Sequence, residues 1–178
     1  MQKQALILHA WQNGPDAHWY PWLKKELESR GYTVYLPEIP TMNSNAPDLD
    51  TQLRFIETSV PLTGDCVIIG HSLGALLAMR LAEKHTCTKM FLVAGWDFND
   101  LTVEHRSFWQ TPMDHEAIQK NVKDIYVISS DNDPYITAVT AEDMSKRLNG
   151  KFILIKHAGH FTDKFGVTKI PELLMHLE

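Results

Sequence analysis

Cysteine is scarce in this chain of 178 residues, which contains only Cys66 and Cys87. Two cysteines are too few for a disulfide framework and are typical of a protein from a reducing compartment. Uninterrupted apolar runs are short as well, and none approaches the roughly 20 residues that a transmembrane helix requires. The first such run, residues 5–8, predicts a strand and not a signal peptide. We therefore expect a cytoplasmic protein that does not enter a membrane.

Positive charge is also in short supply, since 17 Lys and Arg residues stand against 22 Asp and Glu residues. The basic residues form no stripe, which a protein that binds the phosphates of a nucleic acid would need. Hydrophobic residues make up 44% of the chain. At roughly 100–200 residues per domain, we expect one domain over residues 1–178, a monomer without a nucleic-acid partner.

Short apolar runs alternate with helical patterns along the chain, and this alternation is typical of an α/β fold with a parallel sheet. Strands are predicted at residues 5–8, 33–36, 66–69, 90–94, 124–129 and 152–155. Helices are predicted at 19–30, 48–59, 72–84, 116–121, 138–148 and 170–177. The expectation is a three-layer α/β fold of about six mostly parallel strands with helices on both faces.

Residues 97–122 interrupt this rhythm with scattered aromatic and charged side chains. They follow the carboxyl end of a predicted strand, where α/β folds place their sites. The segment is either a crossover with one helix or a small cap over a pocket. Trp11, Trp96 and Trp109 are candidates to line such a pocket, the alternative being that they are ordinary core or surface aromatics.

Residues 70–74 read G-H-S-L-G and match the pattern G-x-S-x-G. A predicted strand precedes the pattern and a predicted helix follows it, as a nucleophile elbow requires. Gly70 and Gly74 leave room for a sharp turn that exposes the Ser72 hydroxyl at the carboxyl edge of the sheet. A structural glycine turn is the alternative. The pattern favours Ser72 as a nucleophile.

A serine nucleophile needs a base and an orienting acid, which follow it in the order acid then histidine in this kind of fold. His160 comes just after the last predicted strand, at the same sheet edge as Ser72, and is the preferred base. Asp133 is the preferred acid because it follows the fifth predicted strand and precedes Pro134. Asp131 and Asp97 remain alternatives for that acid.

Three segments resemble those of the compact α/β-hydrolases related to retinoblastoma-binding protein nine. They are the elbow at 70–74, the stretch S-S-D-N-D-P at 129–134 and the stretch A-G-H-F at 158–161. The opening H-W-Y-P-W-L-K at 18–24 is similar to the bacterial members in particular. The resemblance extends over essentially the whole chain and implies a compact α/β-hydrolase fold with activity on small esters.

Residue by residue, the resemblance implies Ser72 as nucleophile, Asp133 as acid and His160 as base. The backbone N–H of Leu73 is expected to stabilise an oxyanion because it directly follows the nucleophile. A second donor is assigned to the N–H of Trp11, in a loop where alanine stands at position 10 and relatives often have glycine.

The predicted function is a serine hydrolase that cleaves small esters through an acyl-enzyme intermediate, without a metal or organic cofactor. A metal site at His157, His160 and Asp163 is a weak alternative, since it lacks the helical H-E-x-x-H pattern. Thioester or amide hydrolysis could use the same residues. A binding scaffold that has lost catalysis is the alternative outside the enzyme class.

Overall fold

Six strands form a single parallel sheet in the computed structural model, which describes residues 3–177. The strands are β1 (Gln4–Leu8), β2 (Thr33–Tyr35), β3 (Cys66–His71), β4 (Cys87–Val93), β5 (Val122–Ser130) and β6 (Lys151–Ile155). Their order across the sheet is β2-β1-β3-β4-β5-β6, and every neighbouring pair is parallel. All carboxyl ends therefore meet at one edge.

Helices connect the strands on both faces of the sheet. They are α1 (Tyr20–Ser29), α2 (Leu49–Ser59), α3 (Leu73–Ala82), α4 (His115–Asn121), α5 (Ala138–Arg147) and α6 (Pro171–Leu174). Two 3₁₀ helices, Val103–Trp109 and Asp163–Phe165, lie in the loops after β4 and β6. None of the helices within residues 3–177 is long and apolar enough to cross a bilayer.

Alternate side chains of each strand enter two separate hydrophobic layers, because successive strand residues point to opposite faces. On β1, Leu6 and Leu8 pack into the layer under α2, α3, α4 and α5. Ala5 and Ile7 pack into the other layer, with Leu23 of α1 and with α6. The predicted three-layer α/β architecture with six parallel strands is thus confirmed.

Helix α3 is the most deeply buried helix, and all ten of its residues are shielded from solvent. It packs on β1, β3 and β4 and is flanked by α2 and α4. A helix that is apolar on nearly every side, with Arg80 as its one charged residue, needs such a position. Because α3 begins directly after Ser72, its fixed placement also fixes the serine at the sheet edge.

The predicted element boundaries differ from the structure by as many as three residues at two places. Strand β4 begins at Cys87 and not at residue 90, because Lys89 pairs with both β3 and β5 and Cys87 pairs with β5. Helix α6 covers only Pro171–Leu174 of the predicted 170–177. At α2, Asp48 is the expected N-cap, and its carboxylate accepts the Thr51 N–H at 2.9 Å.

Candidate active site

Ser72 occupies a strained turn between β3 and α3, with φ 54° and ψ −119°. Positive φ is costly for a residue with a side chain, and such strain is found mostly at functional sites. The two flanking glycines explain how the turn is possible. A Cβ on Gly70 would lie 2.6 Å from Ala75 Cα, and one on Gly74 would lie 2.7 Å from the His9 carbonyl oxygen.

Ser72, His160 and Asp133 form a continuous hydrogen-bonded series. The Ser72 Oγ lies 2.9 Å from Nε2 of His160, and Nδ1 of His160 lies 2.8 Å from Oδ2 of Asp133. An ionised carboxylate only accepts, so Nδ1 carries the hydrogen and Nε2 of the neutral ring accepts from the serine. The side chain of Asp133 is fully buried and that of His160 is 11% exposed. This is the arrangement that activates a serine.

The Asp133 carboxylate is also held by its own loop. Its Oδ1 accepts the backbone N–H groups of Tyr135 at 2.9 Å and Ile136 at 3.2 Å. These bonds orient the carboxylate towards the imidazole of His160.

The loop after β5 is joined by hydrogen bonds to the loop that carries His160. Three consecutive side chains, Ser130, Asp131 and Asn132, accept the backbone N–H groups of residues 158, 157 and 159 at 2.9, 2.7 and 2.7 Å. Asp131 thus bonds to the His157 backbone and does not reach His160. The side chain of His157 is 82% exposed, and no group of three or more potential metal ligands occurs within residues 3–177.

Asp97, the other alternative acid, is bound elsewhere. Its buried carboxylate accepts two hydrogen bonds from Arg147 and one from His115, each at 2.7 Å. Although burial acts to raise the pKa of Asp97, the bonds from Arg147 and His115 hold it below its ordinary value. With its oxygens committed to these partners, Asp97 does not orient His160.

A buried series of hydrogen bonds connects the loop after β1 with the loop that carries His160. The Ala10 N–H donates to the Tyr20 hydroxyl at 3.0 Å, and that hydroxyl lies 2.6 Å from Nδ1 of His71. Nε2 of His71 then lies 2.9 Å from the carbonyl oxygen of His160. Burial lowers the pKa of His71 well below its usual value, so the ring is neutral. In a neutral ring, Nδ1 accepts from the Tyr20 hydroxyl and Nε2–H donates to the His160 carbonyl, so every polar group in this series has a partner.

The backbone N–H groups of Leu73 and Trp11 have no acceptor among residues 3–177. In the loop after β1, the N–H of Ala10 goes to Tyr20 and that of Gln12 to the Met42 carbonyl at 3.2 Å. The positive φ of this loop falls on Gln12, at 56°, and Ala10 has none. Alanine at position 10 therefore imposes no backbone strain.

A cavity of about 900 Å³ opens beside Ser72 and His160. Trp11 and Trp96 line it, and three partly exposed aromatic side chains, Phe98, Tyr135 and Phe165, stand around it. Trp109 does not belong to the lining; its indole lies against the guanidinium of Arg80, 5.7 Å from ring centre to Cζ. Of the three predicted pocket tryptophans, two thus line the cavity and Trp109 does not.

The segment 97–122 forms one wall of this cavity through Phe98, Asp100, Thr102 and His105. It is anchored from below by the buried Arg80 of α3, whose guanidinium donates to the carbonyl groups of residues 108, 111 and 112. The segment is therefore tied to the core at its far end, and a cap role for it stays a prediction.

The pattern reasoning missed the polar residues that support this site. Tyr20 lies in a predicted helix and His71 in the elbow, and nothing in their spacing indicates that their side chains meet. The stretch around His105 and Asp100 shows no periodicity and so gives no signal for the contact between them. Only a polar residue in an otherwise apolar setting, such as His71 at the end of β3, offers a signal.

The fold is that of the α/β hydrolases. MGS-MChE2, an α/β hydrolase from a sediment metagenome of the Mar Chica lagoon, superposes with a TM-score of 0.74 at 18% identity over 98% of this chain and 90% of its own. The crystal structure of the ydeN gene product from Bacillus subtilis gives a TM-score of 0.84 at 26% identity, over 98% of this chain and 96% of that one.

The chain belongs to the serine hydrolase family, whose model matches residues 5–178. YdeN of Bacillus subtilis is 28% identical over 178 residues, covering 96% of this chain and 92% of YdeN. The serine hydrolase RBBP9 of Rattus norvegicus is 31% identical over 150 residues, covering 80% of this chain and 77% of RBBP9. The resemblance inferred from the sequence motifs is therefore confirmed, as is a hydrolytic function.

Proposed function

We propose that this serine hydrolase cleaves small carboxylic esters through a triad of Ser72, His160 and Asp133. The observation that carries the proposal is the unbroken series of hydrogen bonds, 2.9 Å from Ser72 to His160 and 2.8 Å from His160 to Asp133. The strained turn that presents Ser72 at the cavity supports the same assignment.

In the first half of the proposed reaction, the Ser72 Oγ attacks the ester carbonyl carbon while its proton passes to Nε2 of His160. The tetrahedral intermediate then collapses, the carbon–oxygen bond to the alcohol breaks, and His160 returns the proton to the departing oxygen. Asp133 holds the imidazole in the required tautomer and stabilises its protonated form. An acyl group remains on Ser72.

In the second half, His160 takes a proton from water, and the resulting oxygen nucleophile attacks the acyl carbon. The bond to Ser72 breaks and its oxygen recovers the proton from His160, which releases the carboxylic acid. Both proton transfers use protein groups, so the proposed reaction uses no metal or organic cofactor.

We assign the stabilisation of the negative charge on the substrate oxygen to the backbone N–H groups of Leu73 and Trp11. Both donors lack a protein acceptor among residues 3–177; Leu73 directly follows the serine, and Trp11 lines the same cavity as the serine. Removing one such donor costs about 10²–10³ in kcat in other serine hydrolases. The free N–H of Leu73 also lies at the amino end of α3, where the helix dipole favours negative charge.

Thioesters and amides differ from esters mainly in the leaving group and could be cleaved by the same residues. A non-catalytic binding scaffold is the alternative outside the enzyme class. A rapid-mixing experiment with p-nitrophenyl acetate separates these functions. We expect a burst of one p-nitrophenol per chain followed by slower turnover; parallel assays with thioester and anilide substrates rank the leaving groups.

The burst would be absent from a scaffold, and it should also be absent from the Ser72→Ala variant. A wild-type protein that shows neither burst nor turnover with any of the three substrate types would contradict the proposal. A monomeric state and a cytoplasmic location belong to the same proposal. Light scattering during gel filtration tests the first, and cell fractionation tests the second.

A further inference from the structure

Unpartnered polar atoms are concentrated around the cavity. Within residues 3–177, seven buried side-chain nitrogen or oxygen atoms have no hydrogen-bond partner, and four of these belong to residues that line the cavity. The four are Nε2 of His18, Nε1 of Trp96, Nε2 of His105 and Oγ1 of Thr162. A buried polar group without a partner is destabilising, so such groups are few in native proteins and require an explanation.

His105 is the best defined of the four because its other ring nitrogen is fixed. Nδ1 lies 2.8 Å from the Asp100 carboxylate, and the second oxygen of that carboxylate accepts the Thr102 N–H at 3.1 Å. Nδ1 therefore carries the hydrogen, and Nε2 of the neutral ring is an acceptor. The indoles of Trp11 and Trp96 hold the imidazole at ring-centre distances of 4.9 and 5.6 Å.

Trp96 supplies a hydrogen-bond donor that complements the acceptor of His105. Its Nε1–H can only donate, and it has no acceptor in the protein. The adjacent rings of Trp96 and His105 thus offer one donor and one acceptor, and both residues line the cavity. A hydroxyl group matches this pair, since it accepts one hydrogen bond and donates another.

We propose that Trp96 and His105 form a polar subsite that binds a hydroxyl group carried by the substrate at a distance from the scissile ester. The cavity of about 900 Å³ lies at the upper end of the range for ligand sites, and a short unsubstituted ester would leave most of it unfilled. The substrate class is therefore hydroxylated esters. This proposal rests on the proposed ester hydrolysis and names its preferred substrate.

Matched substrate pairs test the proposal. In one series, p-nitrophenyl esters of acids with six to ten carbons carry either a terminal hydroxyl or a methyl group in its place. In the other series, the alcohol part of butyrate esters ends either in a hydroxyl or in a methyl group. A site that hydrogen-bonds a substrate hydroxyl discriminates against the analogue without it, so we expect kcat/KM to favour the hydroxyl by about tenfold or more in one series.

Two variants link that preference to the subsite. His105→Phe keeps an aromatic ring but removes both nitrogens, and Trp96→Phe removes the donor. Each should abolish or strongly reduce the preference while the methyl-terminated esters are still cleaved. The matched control is Ser129→Ala, which removes another buried unpartnered polar atom, on β5 and outside the cavity lining, and should keep the full preference.

The outcomes separate the two proposals. Equal cleavage of hydroxyl- and methyl-terminated esters in both series by the wild-type protein overturns the subsite and leaves ester hydrolysis standing. A preference for the terminal carboxylate over the hydroxyl, tested with matching diacid monoesters, also overturns it because a carboxylate cannot donate the hydrogen bond that Nε2 of His105 is proposed to accept. Absence of any turnover, with no burst from p-nitrophenyl acetate, contradicts ester hydrolysis itself.

Discussion

Asp97 and Asp133 are two buried aspartates that follow neighbouring strands at the same edge of the sheet, yet their carboxylates have different hydrogen-bond partners. The side chains of both are completely shielded from solvent. Asp97 is closed off by three hydrogen bonds from Arg147 and His115. Asp133 instead faces His160, which in turn faces Ser72.

The partner decides what each carboxylate can do. Arg147 stays charged, and the hydrogen bonds that it donates to Asp97 raise its pKa further, so this pair exchanges no proton. The imidazole of His160 can gain and lose a proton within a reaction cycle. A buried carboxylate beside an arginine therefore joins structural elements, whereas one beside a histidine can support catalysis.

We expect the largest effect, a loss of kcat, from a substitution of Asp133. In Asp133→Asn, the amide N–H₂ faces Nδ1 of His160 and favours the tautomer with hydrogen on Nε2, which cannot accept the Ser72 proton. We expect kcat for a small ester to fall by about 10⁴. Asp131→Asn is the matched control, because an asparagine there still accepts the His157 N–H and should leave kcat near the wild-type value.

A change at Asp97 should affect stability and not the chemistry. Asp97→Asn removes the charge that pairs with Arg147, whose side chain is 45% exposed and can regain water. We expect the free energy of unfolding to drop by about 2 kcal/mol, less than for a fully buried ion pair. Urea unfolding measures the drop, and kcat at a temperature where the variant is folded should stay close to wild type. A large loss of kcat in the folded variant would instead place Asp97 in the triad.

The smallest effect should appear in the pH dependence of stability. The pKa of Asp97 in the folded protein lies below its ordinary value of 3.8. Its contribution is therefore complete above that pH and is lost as the pH falls through the lower, folded-state value. The difference in unfolding free energy between the wild-type protein and Asp97→Asn should be constant from pH 7 to 5 and shrink below pH 4. A difference that does not change with pH would mean that the carboxylate charge contributes nothing.

The local parts of the site could be predicted because their signals are local. The pattern at 70–74 places two glycines, a strand and a helix within a few residues of Ser72, and all of these determine the turn directly. The positions of Asp133 and His160 followed from the alternation of strands and helices, since parallel strands bring their carboxyl ends to one edge.

The choice between Asp97 and Asp133 was harder because it depends on distant partners. Arg147 lies 50 residues after Asp97, and no pattern indicates that α5 delivers its guanidinium to the end of β4. The contact between Tyr20 and His71 spans 51 residues and was missed for the same reason. The cavity lining around His105 also depends on how an irregular segment folds, which periodicity cannot predict.

The most direct test of the account is covalent labelling with a fluorophosphonate, followed by mass spectrometry of the intact protein and its peptides. The account predicts one adduct per chain, located on Ser72, strongly slowed in Asp133→Asn and absent from Ser72→Ala. An adduct on any other residue, or ester hydrolysis by Ser72→Ala at the wild-type rate, would contradict it.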